Sequence, residues 1–195
     1  MELFDGNKVI TVKEVEIPKV FYNSETKKPF NECALCGKDL LHADEFYFVE
    51  KAYEKKLTSG KHELIFEYAM CSECQIGMSE ELSKESMQNI AMYFRLYTED
   101  RKIPETDEEI KDNYTNCLVR NKNVKEFREY QRAGIFMNGK MLILNHFPFA
   151  FGSYAIDEIQ ELISKKTRDF LNGLKDKIIP PEVRDKVPDD RLIFV

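Results

Sequence analysis

Two pairs of cysteines, each with two residues between its members, constrain this chain more than any other feature. The pairs are Cys33 with Cys36 and Cys71 with Cys74. Four thiolates can surround one Zn²⁺ tetrahedrally, with Zn–S bonds of about 2.3 Å. Two intervening residues let the backbone turn tightly, so that both sulfurs of a pair can point at one ion. The sequence therefore predicts a Cys₄ site for Zn²⁺, with iron as the alternative occupant.

Other uses of these cysteines are less compatible with their surroundings. A thioredoxin-like redox pair needs a C-x2-C at a helix N-terminus within a βαβ unit, and the strand-like surroundings here do not supply one. Two disulfides would suit an exported protein, but the first residues show no secretion signal and the total of five cysteines is odd. We therefore expect a cytoplasmic protein with reduced thiols and a structural metal.

The segment between the two pairs is typical of a β-hairpin. Residues 45–53 and 62–70 are rich in aromatic and β-branched side chains, and a turn-forming segment separates them. A helix is expected after Cys74, with Ser79 as its N-cap. The apolar stripe of this helix is expected in the core, together with the nearby Met87 and Met92. It consists of Leu82, Ile90, Tyr93, Phe94 and Tyr97.

A C-x2-C-G-K knuckle, a hairpin and a C-x2-C that leads into a helix resemble a treble-clef zinc finger over about residues 31–98. The resemblance implies that the first pair binds the metal from the knuckle and the second pair from the start of the helix. Gly77 and Ser79 would allow a loop before the regular helix, so a zinc ribbon is the alternative. Neither type of finger implies an activity.

The rest of the chain predicts further strands and helices. Residues 1–30 are expected to add a strand or two to the zinc module. A capping box at Thr106 predicts a helix over 106–121, which would include Cys117 on its apolar stripe. Asn138-Gly139 between two strand-like runs predicts a type I′ hairpin. One long helix is expected from Ser153 to Pro180.

The predicted fold class is α+β: a Cys₄ zinc finger with a β-hairpin and a helix, followed by a second hairpin and long helices. We divide the chain into an N-terminal zinc-binding module, 1–98, with its zinc core at 31–98, and a C-terminal α+β region, 99–195. The two could pack as one body. An apolar tip, 192–195, could dock on a sheet or on a partner chain.

Catalytic signatures are sparse. The three histidines are His42, His62 and His146, and none belongs to a familiar catalytic motif. A treble-clef nuclease would place a histidine such as His62 beside the metal, but four cysteines already saturate one ion. His42 could serve as a ligand only if a cysteine were displaced. Cys117 is expected to be a small core residue, with a nucleophile as the alternative.

The aromatic loop 146–151 is the best candidate for contact with a protein partner. Phe147, Phe149 and Phe151 could form an exposed anchor for that partner or for a second subunit. The alternative, which we favour, is an internal hydrophobic plug between the second hairpin and the helix that follows.

Charge restricts the partners further. The chain has 35 acidic and 29 basic residues, a net charge of −6, and no strongly basic cluster, which disfavours nucleic acid. No apolar run approaches the roughly 20 residues of a membrane span. We expect a non-catalytic protein-interaction or adaptor protein. The alternatives are an enzyme at the junction of the two halves, using His146, Cys117 or acidic residues, and a nucleic-acid-binding zinc finger.

Overall fold

The computed structural model describes residues 2–5, 8–42, 44–144, 147–184 and 187. The strands are β1 (Glu2–Asp5), β2 (Lys8–Thr11), β3 (Lys13–Glu16), β4 (Tyr47–Lys55), β5 (His62–Cys71), β6 (Glu129–Met137), β7 (Lys140–Ile143) and β8 (Phe149–Gly152). The α-helices are α1 (Ser72–Glu81), α2 (Lys84–Thr98), α3 (Asp107–Thr115), α4 (Ser153–Glu161), α5 (Lys165–Ile178) and α6 (Pro181–Arg184). Helices and antiparallel strands together confirm the α+β class.

One antiparallel sheet organises the protein. Its strand order is β3-β7-β6-β4-β5, and β8 pairs with the part of β6 that β7 leaves open. Strand β4 is central, because it pairs with β5 on one side and with β6 on the other. Strands from both sides of residue 98 therefore share one sheet. Strands β1 and β2 form a separate two-stranded sheet.

Both predicted hairpins are present. Strands β4 and β5 pair from Tyr47 opposite Cys71 to Lys55 opposite His62. The second hairpin joins β6 to β7 through Asn138 and Gly139, whose φ angles are 50° and 70°. Two successive positive φ values define the type I′ turn that an Asn-Gly pair favours.

The N-terminal strand lies elsewhere than predicted. Strand β3 pairs with β7, so it adds to the second hairpin and not to the hairpin between the cysteine pairs. Its register places Val15 opposite Met141, whose side chain is completely buried.

Three predicted helix boundaries are wrong. Helix α1 begins at Ser72, so Ser79 lies inside it and is not an N-cap. Helix α3 has the predicted capping box at Thr106 but ends at Thr115. The long helix expected from Ser153 is two helices, because Ser164 caps a new one by accepting a hydrogen bond from the Thr167 amide.

A buried set of hydroxyls explains why the chain breaks before α2 and before α5. Ser83 is the N-cap of α2, and Ser164 is the N-cap of α5. The backbone amide of each serine donates to a hydroxyl in the first turn of the opposite helix. The Ser83 amide donates to Thr167 Oγ1 at 3.0 Å, and the Ser164 amide donates to Ser86 Oγ at 2.8 Å. Ser86 and Thr167 have no exposed surface. The two helix starts therefore satisfy each other's polar groups.

The surface of α2 also differs from the prediction. Met87 and Met92 were expected in the core, but they are 39% and 70% exposed, and Leu96 is 72% exposed. The opposite face of the helix packs inward through Ile90, Tyr93 and Phe94. Met92 and Leu96, one helical turn apart, therefore face solvent together.

Candidate metal centre

The first cysteine pair lies on a tight turn that the sequence specifies. Gly37 has a φ of +71°, a conformation that glycine adopts without strain, and its amide donates to the Cys33 carbonyl at 2.9 Å. The Cys33 amide donates to the carbonyl of Lys38 at 2.9 Å, which closes the loop. The turn directs both sulfurs of the pair to the same side.

The second pair lies where a strand passes into a helix. Cys71 is the last residue of β5, and Cys74 lies in the first turn of α1. The Ala34 amide donates to the Ala69 carbonyl at 2.8 Å, which joins the first turn to β5. This hydrogen bond brings the two pairs together although 35 positions separate Cys36 from Cys71.

The four cysteines form one cluster. Their sulfurs all lie within 4.8 Å of one another, and Cys36 Sγ lies 3.7 Å from Cys71 Sγ. Four sulfurs around an ion at 2.3 Å are separated by about 3.8 Å along each edge of the tetrahedron. All four thiols are free of disulfides. The cluster could therefore hold a metal ion.

The thiols of the cluster do not ionise equally. Burial by itself raises the pKa of Cys33, but the backbone amides of Cys71, Cys36 and Leu35 donate to its sulfur and lower its pKa to about 7. Burial raises the pKa of Cys71 and of Cys74, and hydrogen bonds from the neighbouring cysteines raise that of Cys74 further. Packed thiolates repel one another, so a cation between them is what would allow all four to ionise.

Lys38 connects the first turn to its surroundings. Its Nζ lies 2.8 Å from Glu45 Oε1 and 3.2 Å from Glu73 Oε2. Hydrogen bonds to these two carboxylates raise the pKa of Lys38. Glu73 lies between the second pair of cysteines, in the first turn of α1. Lys38 therefore joins the turn of the first pair to the start of α1 and places a positive charge there.

The histidines of the described chain lie outside the cluster. His62 begins β5, at the opposite end from Cys71, and its Nε2 lies 2.9 Å from the Phe127 carbonyl oxygen. His42 is exposed, and its Nδ1 lies 3.0 Å from Asp39 Oδ2. His146 and the apolar tip 192–195 fall outside the described residues.

The aromatic segment is a strand where a loop was expected. Phe149 is 3% exposed and Phe151 has no exposed surface, because both lie on β8 and contact the ring of Phe94, each with a centroid distance of 5.4 Å. Phe147 is partly buried against Phe48. Phe149 and Phe151 therefore occupy the position of an internal plug and do not form an exposed anchor.

Cys117 is a core residue, but it does not lie on a helix. It follows the end of α3 and has no exposed surface. Its sulfur accepts a hydrogen bond from the Gly152 amide at 3.3 Å. The structure thus places this thiol away from solvent, at the junction of α3 and β8.

A group of buried charges was not predicted. Lys51 and Arg132 are 4% and 6% exposed, and the side chain of Glu67 is 10% exposed. Glu67 alternates with apolar residues along β5, a pattern typical of a strand face that is exposed to solvent. The available signal is Lys51, which together with Glu50 interrupts the aromatic and apolar residues of 46–53.

Comparisons with protein families, curated proteins and solved structures find no match for this chain. Among the described residues, no helix has both the length and the apolar character needed to cross a membrane. Function must therefore be inferred from the geometry of the cysteine cluster and of the surrounding surface.

Proposed function

We propose that the four cysteines hold one Zn²⁺ as a structural centre, and that the protein acts without catalysis, through contacts with a protein partner. The observation behind the first part is the cluster of four sulfurs, whose 3.7 Å separation between Cys36 and Cys71 matches the edge of a zinc–thiolate tetrahedron. Four thiolates occupy every position of that tetrahedron. No position is left for a reactive water, which is the reason for a structural role.

The arrangement around the cluster supports a treble-clef finger over a zinc ribbon. One pair lies on a tight turn, a hairpin follows, and the second pair spans the last residue of β5 and the first turn of α1. In a ribbon, the second pair would lie on another turn. The start of α1 at Ser72 removes the loop on which the ribbon alternative depended.

The metal would join three parts of the protein and add to the hydrogen bond from Ala34 to Ala69 and the ion pair of Lys38 with Glu73. It would link the turn at 33–38, the end of the β4–β5 hairpin and the start of α1. Zinc binding contributes about 10–16 kcal/mol in zinc-finger peptides, which is comparable to the stability of a whole domain. We therefore propose that the metal fixes the position of α1, and with it α2.

Apolar side chains on α2 support the interaction part of the proposal. Met92 and Leu96 lie one helical turn apart on the same face of α2 and are 70% and 72% exposed. Exposed apolar side chains that cluster on one surface are typical of protein interaction sites. This surface takes the role that the sequence had suggested for Phe147, Phe149 and Phe151.

Chelation tests the structural role. We expect removal of the metal from the full chain to lower the melting temperature sharply and to abolish the near-ultraviolet signal of the packed aromatic residues. Added Zn²⁺ should restore both. A metal-free chain that keeps its melting temperature would exclude a structural centre. Recovery with iron but not with zinc would assign the site to iron.

Charge substitutions on α2 test the interaction. We expect the Met92→Glu/Leu96→Glu variant to keep its metal and its melting temperature, since both side chains are exposed. The variant should no longer form the cross-links to partner proteins that the wild type forms in its own cells. Gln88→Glu, also exposed on α2, is the matched control and should keep them. Equal cross-linking by all three chains would place the interaction elsewhere.

A further inference from the structure

A cavity beside strand β4 of the β4–β5 hairpin is lined by several cations. Its volume is about 320 Å³, and it lies between the segment 19–27 and strand β4. Lys19, Lys27 and Lys51 line it, together with the ring of Tyr53. Lys19 and Lys27 are exposed at the rim, whereas Lys51 is buried. Pockets for small molecules have volumes of about 300–1,000 Å³, so this one suits a small ligand.

Hydrogen bonds hold the buried part of this cavity rigidly. Lys51 Nζ lies 2.6 Å from Glu67 Oε2 and donates to the Tyr22 carbonyl at 2.5 Å. The other oxygen of Glu67 accepts from both the amide and the hydroxyl of Ser24, each at 2.6 Å. Lys51 is therefore fixed in place, and the segment 19–27 is anchored to β5.

A second buried cation lies beside Lys51. Arg132 on β6 stands directly opposite Lys51 on β4, so both side chains are on the same face of the sheet. Its guanidinium carbon lies 5.6 Å from the ring centre of Tyr53 and 4.9 Å from that of Tyr130. Arg132 is 6% exposed, and its Nε has no hydrogen-bond partner in the described part of the chain. A buried guanidinium ordinarily has an anionic partner.

The charges of this group do not cancel. Lys19, Lys27 and Lys51 line the cavity, and Glu67 supplies one negative charge through its ion pair with Lys51. Arg132 does not line the cavity but adds a further positive charge beside Lys51. The excess of positive charge is concentrated at one cavity of a protein whose net charge is −6.

We propose that this cavity binds a phosphate group, either free or at the end of a small organic molecule. A phosphate monoester carries about −1.5 to −2 charges at pH 7, which balances the cationic excess better than a single carboxylate does. Lysine and arginine are the side chains that bind phosphate most strongly. The partly exposed ring of Tyr53 offers an apolar wall to the remainder of an organic ligand.

The test is a titration of the full, metal-loaded chain at constant ionic strength. The probes are inorganic phosphate, phenyl phosphate and acetate, and the readout is the chemical shift of backbone amides near the cavity, including Ser24. The test variant is Lys19→Gln/Lys27→Gln, which changes only rim side chains. The matched control is Lys102→Gln/Lys122→Gln, which removes two exposed cations from loops that do not line the cavity.

We expect saturable binding of phosphate to the wild type, binding about tenfold or more weaker in the rim variant, and no change in the control. Acetate should bind more weakly than either phosphate. Tighter binding of phenyl phosphate would assign an organic ligand, and equal binding would assign the free ion. No saturation up to about 10 mM phosphate, or equal weakening in both variants, would overturn the proposal. Metal content is measured for every variant, so that a failure of phosphate binding can be distinguished from a loss of the zinc centre.

Discussion

Replacing Cys71 by serine should remove the metal and unfold the region that depends on it. Cys71 is 1% exposed and lies 3.7 Å from the sulfur of Cys36, at the point where β5 passes into α1. Loss of a structural zinc costs about 10 kcal/mol or more, and a buried hydroxyl without its partner costs about 1–3 kcal/mol more. Domains are stable by about 5–15 kcal/mol in total. The variant should therefore lack a stable fold around the cluster at 25 °C.

Cys117→Ser is the matched control, because this thiol is also completely buried but lies outside the cluster. It accepts one hydrogen bond, from the Gly152 amide, so we expect a loss of about 1–3 kcal/mol, or roughly 2–12 °C in melting temperature. Its metal content should equal that of the wild type. Elemental analysis and thermal unfolding of both variants provide the assay. Full metal content in Cys71→Ser, or metal loss in Cys117→Ser, would refute the assignment of ligands.

Three further substitutions test the fold. Gly152→Ala should cost about 1–3 kcal/mol, because its Cβ would lie 2.4 Å from the ring of Phe127; urea unfolding should show partial recovery when Phe127→Leu is added. Gly139→Ala should cost about 1–2 kcal/mol in the same assay, since its φ is +70°. Amides of Thr106 and Glu105 lower the pKa of Glu109 below 4.5, so its contribution is present above that pH and lost in acid. Glu109→Gln should therefore differ from the wild type near neutral pH and converge with it in acid, once the pH falls through the lowered pKa of Glu109.

Local patterns in the sequence predict much of the site. The spacing within each cysteine pair, the glycine after the first pair and the alternation along both hairpins are features of neighbouring residues. Each has a direct structural consequence, such as the positive φ of Gly37. The sequence could not fix the start of α1, because Gly77 and Ser79 are poor helix formers and nevertheless lie inside the helix.

Features that depend on distant contacts were missed. The apolar spacing continues from α4 into α5, and only the hydrogen bonds between their junction and Ser86 show why the chain breaks at Ser164. Strand β8 is buried on both faces, so it lacks the alternation that marks a strand exposed on one side. Arg132 stands opposite Lys51 because of the register of β4 with β6, and no local sequence pattern reveals that register.

The zinc centre is tested most directly by metal analysis of the wild-type chain, purified without added metal, together with thiol alkylation before and after chelation. The account predicts one zinc per chain. It also predicts that Cys33, Cys36, Cys71 and Cys74 resist alkylation until the chelator removes the metal, including Cys36, which the fold leaves exposed. A chain without metal, in which these four thiols react at once or are already oxidised to disulfides, would contradict it.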